Sequence, residues 1–318
     1  MDSPRLTGLV AATYTPLTED GSVNVQLVKP LVEYLLAQKI QGLYVCGSTG
    51  EGMSLSSDER KQVAEAYVHA TEGRVPVIVQ VGHNSLVEAR SLAAHAQEIG
   101  ADTISATCPS YFKVASTDSL VACMAEIAAA APELPFYYYH IPLLTGSAID
   151  MASFLGLASE RIPSLVGLKY TDTKLFEFQE CINFRNAAHR SMDILWGCDE
   201  MLLGALATGA RGAIGSTYNI AAPLYSRLID AFSSGDVAKA RELQALSIQM
   251  IRTIGKYPFH PAMKAILSMR GFEVGGCRLP QGGLSDEEVK GLRADLEAIG
   301  FFEWSHDDAR PSEGSPNA

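Results

Sequence analysis

The chain reads as an α/β protein, a (β/α)8 TIM barrel with a three-helix C-terminal extension. Three observations predict this. Eight strand-like runs alternate with eight helix-like runs before about residue 234, which is the unit count of such a barrel. The run 75–81 is β-branched and nearly continuous, the pattern of a parallel strand covered on both faces. Beyond residue 234 only helical patterns remain. A doubly wound sheet uses the same units, but it usually shows fewer strands and a glycine-rich phosphate loop after the first. Here the first strand runs into Tyr14-Thr15-Pro16.

The elements follow from apolar spacing. Residues 9–13 form a short apolar strand, and 25–37 have helical spacing. Strand 42–45 precedes helix 58–70, which Ser56-x-x-Glu59 would cap. After strand 75–81, the Ala-rich helix 85–99 stops at Gly100. Strands 102–106, 135–139, 165–170, 192–196 and 212–214 alternate with helices 118–130, 152–159, 175–187, 200–207 and 224–233. Asp236 reads as the N-cap of helix 237–254, and His260-Pro261 as a cap with proline at the first helical position. Ser285-x-x-Glu288 is a capping box for a helix reaching about 299. The expected organisation is therefore a barrel over 1–234, a helical extension over 235–303 and a disordered polar tail over 304–318.

Composition narrows the function. The 318 residues suit one large barrel as well as two ordinary domains, and 47% hydrophobic with 19% charged residues leaves ample core. The net charge of −11, with no basic stripe, argues against a nucleic-acid partner. No uninterrupted apolar window is long enough to cross a membrane. Met1-Asp2-Ser3-Pro4-Arg5-Leu6 shows no secretory pattern, so a cytoplasmic protein is expected. The cysteines 46, 108, 123, 181, 198 and 277 form no C-x-x-C pair and read as reduced thiols. The histidines have no ligand spacing, and neither a Walker loop nor a G-x-S-x-G elbow is present; no metal or cofactor is expected.

In barrels of this kind the active site lies at the C-terminal ends of the strands. Lys169 stands near the end of Leu165-Val166-Gly167-Leu168-Lys169-Tyr170. Burial disfavours its ammonium form and makes it a nucleophile able to condense with a ketone; alone, it reads more readily as a snorkelling or salt-bridged strand-end lysine. Tyr139 ends the preceding strand, next to Tyr137 and Tyr138, of which at least one must simply pack a core. Gly47-Ser48-Thr49-Gly50-Glu51-Gly52 follows the second strand and can converge amides and hydroxyls on an anion. Thr171 follows the sixth strand. Gly197-Cys198-Asp199-Glu200 follows the seventh, where Asp199 could equally cap a helix, and Gly215-Ser216-Thr217-Tyr218-Asn219 the eighth.

With those residues in order, the chain resembles the N-acetylneuraminate lyase / dihydrodipicolinate synthase family from about Leu6 to Ile299, and the stretches Pro135-Phe136-Tyr137-Tyr138-Tyr139-His140-Ile141-Pro142 and Gly215-Ser216-Thr217-Tyr218-Asn219 are most similar to its lyase branch. The resemblance implies a small-molecule substrate, a 2-keto-3-deoxy sugar acid of the sialic acid type cleaved to pyruvate and an N-acetylated amino sugar, and a homotetramer. It implies that Lys169 forms the Schiff base and Tyr139 shuttles the proton. It implies that Ser48 and Thr49 hold the pyruvyl carboxylate, and that Thr171, Gly197, Asp199, Glu200 and Ser216 line the sugar-tail pocket. Tyr111 matches a tyrosine that family members donate across a subunit interface. The synthase branch places a carboxylate-binding arginine where this chain has Leu144. Leucine cannot make that bidentate contact, which disfavours a second carboxylate substrate. A sister aldolase or dehydratase, or a silent sugar-acid binder, stays open at this stage.

Overall fold

The computed structural model describes residues 6–186 and 191–305. Eight parallel strands close a barrel in chain order: β1 (Gly8–Ala12), β2 (Gly42–Val45), β3 (Val77–Gln80), β4 (Thr103–Ala106), β5 (Phe136–His140), β6 (Leu165–Tyr170), β7 (Asp193–Trp196) and β8 (Gly212–Gly215). β8 returns to β1, from Gly8 opposite Gly212 to Ala11 opposite Gly215, so no strand edge is left exposed.

Alternate residues along each strand face opposite sides. On β1, Val10 and Ala12 join Tyr44, Ile78, Tyr137, Tyr139, Leu195 and Ile214 in a cluster that fills the barrel. Leu9 and Ala11 face the larger core between barrel and helices. The same alternation sorts the tyrosines of β5. Tyr138 packs outward on Phe154, with ring centroids 4.8 Å apart, while Tyr137 and Tyr139 point inward.

The helices of the barrel units are α1 (Val28–Ala37), α2 (Ser57–Thr71), α3 (Leu86–Glu98), α4 (Thr117–Ala128), α5 (Pro142–Thr145), α6 (Met151–Arg161), α7 (Leu175–Asn183), α8 (Leu202–Ala207) and α9 (Tyr218–Ser233). The C-terminal segment adds α10 (Val237–Ile254), α11 (Phe259–Met269), α12 (Asp286–Ala298) and the single turn α13 (Phe301–Trp304). Ser56/Glu59 and Ser285/Glu288 form the two expected capping boxes, and Asp236 caps α10.

Several expectations need correction. α9 starts at Tyr218 rather than at 224: a break at Ala221 (φ −147°, ψ 30°) makes room for Pro223 inside the helix. His260-Pro261 is not the start of α11. Pro258 is its N-cap, and Pro261 falls in the first turn, where backbone N–H groups have no intrahelical acceptor anyway. The one-turn α5 was not expected; Pro142 opens it and Gly146, at φ +66°, closes it. Residues 199–201 form a 3-10 turn before α8, and α7 ends at Asn183, short of 187. Trp304 still belongs to α13 and Ser305 is buried, whereas the rest of the expected tail, 306–318, lies outside the described residues. Among the described residues no helix is long and apolar enough to cross a membrane.

Candidate active site at the C-terminal mouth of the barrel

Lys169 is the penultimate residue of β6 and Tyr139 the penultimate residue of β5, and the two are direct partners in the sheet register. Both side chains turn into the barrel mouth. The Lys169 Nζ lies 4.1 Å from the centroid of the Tyr139 ring and 4.1 Å from that of Tyr44. The amine is only 4% exposed, and among the described residues it has no ion-pair partner. Desolvation lowers its pKa to about 7, with Asp199 and Cys198 pulling weakly the other way. A strand-end lysine that snorkels would keep its ammonium in water, and this one does not.

Burial also acts on Tyr139, whose phenol is pushed up to about 12; the hydroxyls of Ser48 and Thr171 favour its anion and limit that rise. Those two residues come from different strand ends. Ser48 belongs to the loop after β2, and Thr171 follows β6 directly, its backbone N–H donating to the His140 carbonyl at 2.8 Å. Thr171 Oγ1 is buried, and its polar neighbour is the Tyr139 phenol. Gly197 leaves it room, since a Cβ there would come within 1.9 Å of that oxygen.

The loop Gly47–Gly52 is compressed against the barrel. A Cβ at Gly47 would stand 2.6 Å from Tyr44 Cε1, and one at Gly52 2.0 Å from the Cys46 carbonyl oxygen. Cys46 and Glu51 take left-handed backbone, φ +58° and +55°. Thr15 Oγ1 donates to the Gly50 carbonyl at 2.6 Å. Thr49 is buried and Ser48 half-buried. Glu51 turns away from the mouth: its Oε1 meets Lys264 Nζ at 2.7 Å, and its Oε2 accepts the Arg278 backbone N–H at 2.8 Å.

Asp199 does not cap α8, whose N-terminus has no side-chain cap. Its Oδ2 accepts from the Thr217 backbone N–H at 2.9 Å and from the Thr217 hydroxyl at 2.6 Å. Its Oδ1 is buried with no hydrogen-bond partner. Desolvation raises the carboxyl to about 6, against the hydrogen bonds from Thr217. The result is a carboxylate half held by the protein, with one oxygen left to accept from a hydroxyl. Glu200 is exposed on the following turn, and Ser216 is half-buried. In the same β8 loop, Asn219 Nδ2 donates to the carbonyls of Ala12 and Ser216, each at 2.7 Å, which ties the loop to the end of β1. Tyr111 stays outside this group. It is 79% exposed on the loop after β4, edge-on to Phe112.

Three residues that matter here escaped sequence reading: Tyr44, Thr217 as the ligand that fixes Asp199, and Lys264. A signal existed for the last, a lone lysine in the apolar run Phe259–Met269. For metal binding, His140, Asp172 and Glu177 bring one donor atom each within 4.8 Å of one another. Asp172 already pairs with Lys174 at 3.3 Å, and Glu177 accepts the Tyr170 hydroxyl. His140 packs against Tyr138 and Tyr170, which belong to the core between barrel and helices.

A model of the dihydrodipicolinate synthetase family matches residues 5–299. The chain is 44% identical over 280 residues to an N-acetylneuraminate lyase of Xenopus tropicalis, covering 87% of this chain and 90% of that one. It is 42% identical over 299 residues to an N-acetylneuraminate lyase of Gallus gallus, covering 93% and 96%. Among solved structures, the Proteus mirabilis N-acetylneuraminate lyase superposes with a TM-score of 0.90 at 38% identity, covering 93% of this chain and 99% of that one.

Proposed function

Because the chain belongs to the dihydrodipicolinate synthetase family, we propose that it is a class I aldolase that cleaves N-acetylneuraminate to N-acetylmannosamine and pyruvate. One observation carries this: a buried amine and a buried phenol face each other across β5 and β6 at the mouth of the barrel. The relatives named above give the substrate.

The chemistry follows from the positions. The Lys169 Nζ lone pair adds to the C2 ketone, and uptake of a proton with loss of water leaves a protonated, cationic imine. Ser48 and Thr49 receive the adjacent carboxylate. Burial keeps the resting phenol of Tyr139 protonated, so it relays: it passes its own proton to the substrate carboxylate as it takes the one from the C4 hydroxyl, and returns the first to C3 of the enamine. The C3–C4 electron pair then moves into the imine, releasing the aldehyde and leaving an enamine. Protonation at C3 and hydrolysis free pyruvate and restore the amine. The free Oδ1 of Asp199, with Thr171, Gly197, Glu200 and Ser216, receives the hydroxyls of the sugar tail. No metal enters these steps.

The test is pyruvate release from N-acetylneuraminate with EDTA present, with Lys169→Ala as control. Release that needs Lys169 and survives EDTA is expected. No release from the unsubstituted chain would break the substrate assignment, and borohydride trapping with pyruvate would then tell a sister Schiff-base enzyme from a silent binder.

The same reading makes the chain a cytoplasmic homotetramer with a barrel over 1–234 and a helical extension over 235–303. Support for assembly comes from Tyr111, Phe112 and Leu143, large apolar side chains exposed on the segments that follow β4 and β5. Lys113 Nζ ties these segments together by donating to the Thr145 carbonyl at 3.0 Å. A monomeric mass by light scattering would remove the tetramer.

A further inference from the structure

Tyr44 has no part in the proton transfers described above, yet it touches the reacting nitrogen. Its ring and that of Tyr139 meet edge to face, with centroids 5.6 Å apart at 81°, and the Lys169 Nζ lies over both rings at 4.1 Å. The ring is locked in place. It is fully buried, its hydroxyl donates to Ser105 Oγ on β4 at 3.1 Å, and Gly47 packs against its edge. The hydroxyl is engaged on β4, so what Tyr44 offers the amine is a π face.

That face meets a charge that comes and goes. When Nζ adds to the ketone and water leaves, the imine is an electron sink only while its nitrogen keeps a proton, and in that form the nitrogen carries a positive charge. Cleavage of C3–C4 delivers an electron pair to the imine and removes the charge, and protonation of the enamine at C3 brings it back. Among the described residues no carboxylate pairs with Nζ, and the amine is buried. An aromatic face is negative at its centre and attracts a cation held over it, most strongly where both are desolvated.

We propose that Tyr44 is a catalytic residue whose ring face stabilises the Lys169 iminium on both sides of the carbon–carbon step. This rests on Lys169 being the imine-forming residue. The ring acts on the charged imines and not on the neutral enamine, so its effect falls on how much imine accumulates.

The experiment replaces Tyr44 with phenylalanine and then with phenylalanines carrying increasing numbers of ring fluorines, which keep the shape and drain the face. The readout is the pyruvate concentration needed for half-maximal borohydride trapping at Lys169, in chains with matched melting temperatures. Tyr44→Phe should stay within about threefold of the unsubstituted chain, and affinity should then fall stepwise to about tenfold or more at full fluorination, the size of a desolvated cation–π contact. Tyr44→Leu should lose at least as much; if it fails to fold, the fluorinated series decides alone. A flat series, or a Tyr44→Phe loss as large as that of full fluorination, would overturn the role of the face. Absence of trapping in the unsubstituted chain would instead sink the reading of Lys169, so the two failures are distinguishable.

Discussion

Lys169 and Tyr139 are shifted in opposite directions by one cause. Burial disfavours whichever form is charged, so the amine falls to about 7 and the phenol rises to about 12. The amine is a nucleophile only when neutral, and its neutral fraction grows as pH rises through its pKa. Imine formation, measured as the rate of borohydride trapping with pyruvate, should therefore climb about tenfold per pH unit below neutrality and level off just above pH 7. An ordinary lysine, near 10.5, would still be climbing at pH 9, and that outcome would show that burial does not set the nucleophile. Because Asp199 pulls the amine upward, Asp199→Asn should move the plateau to lower pH. Tyr139→Phe separates the phenol from its ring. The π face beside Nζ stays and the proton relay goes, so trapping should persist while turnover falls about a hundredfold or more. Equal losses in both would place Tyr139 in binding rather than in proton transfer.

The eight strand ends bring these residues together, and they were also where the sequence was most readable. A polar residue closing an apolar run announces itself, which is how Lys169, Tyr139 and Asp199 came to notice. Tyr44 did not, because it sits inside β2 among residues that all read as core. Only barrel closure turns it toward β6. Glu51 and Lys264 are 213 positions apart, and nothing local links them. Pro223 stands inside α9, although proline usually marks a helix boundary; the break falls two residues earlier, at Ala221. Glycines at the strand ends do comparable positioning. A Cβ at Gly215, the last residue of β8, would stand 1.8 Å from Asp199 Oδ1. Gly215→Ala should therefore push the Asp199 carboxylate out of place, raising the KM for N-acetylneuraminate while pyruvate trapping, which does not need the tail pocket, stays near its original level. Loss of trapping to the same degree would mean that the substitution disrupts the barrel mouth as a whole.

The helical extension supports the mouth at two separate points. From α10, Gln244 Nε2 donates to the Asp199 carbonyl at 3.3 Å, and the Ser247 and Tyr225 hydroxyls bond at 2.8 Å, continuing to Thr217 and so to the Asp199 carboxylate. From α11, Lys264 reaches Glu51 beneath the anion cradle in an ion pair with both side chains essentially inaccessible, and it also donates to the Gly276 carbonyl at 2.7 Å. The pair has a direct electrostatic purpose. Glu51 is in the loop proposed above to receive the substrate carboxylate, and a bare buried anion there would repel it; Lys264 cancels that charge locally. Removing one partner of a buried pair leaves an uncompensated charge, whereas removing both is far less harmful. Lys264→Met should therefore cost about 3–5 kcal/mol in denaturant unfolding and weaken pyruvate trapping. The double variant Glu51→Gln/Lys264→Met should recover a large share of the stability, because a neutral amide tolerates the site better than an orphan carboxylate. The comparison needs all four chains, so that the coupling between the two positions is read directly. If the losses simply add, the pair is not coupled. The extension would then hold the cradle by packing alone, through contacts such as Arg278, which pairs with Glu59 and donates to the Gly21 and Ser54 carbonyls.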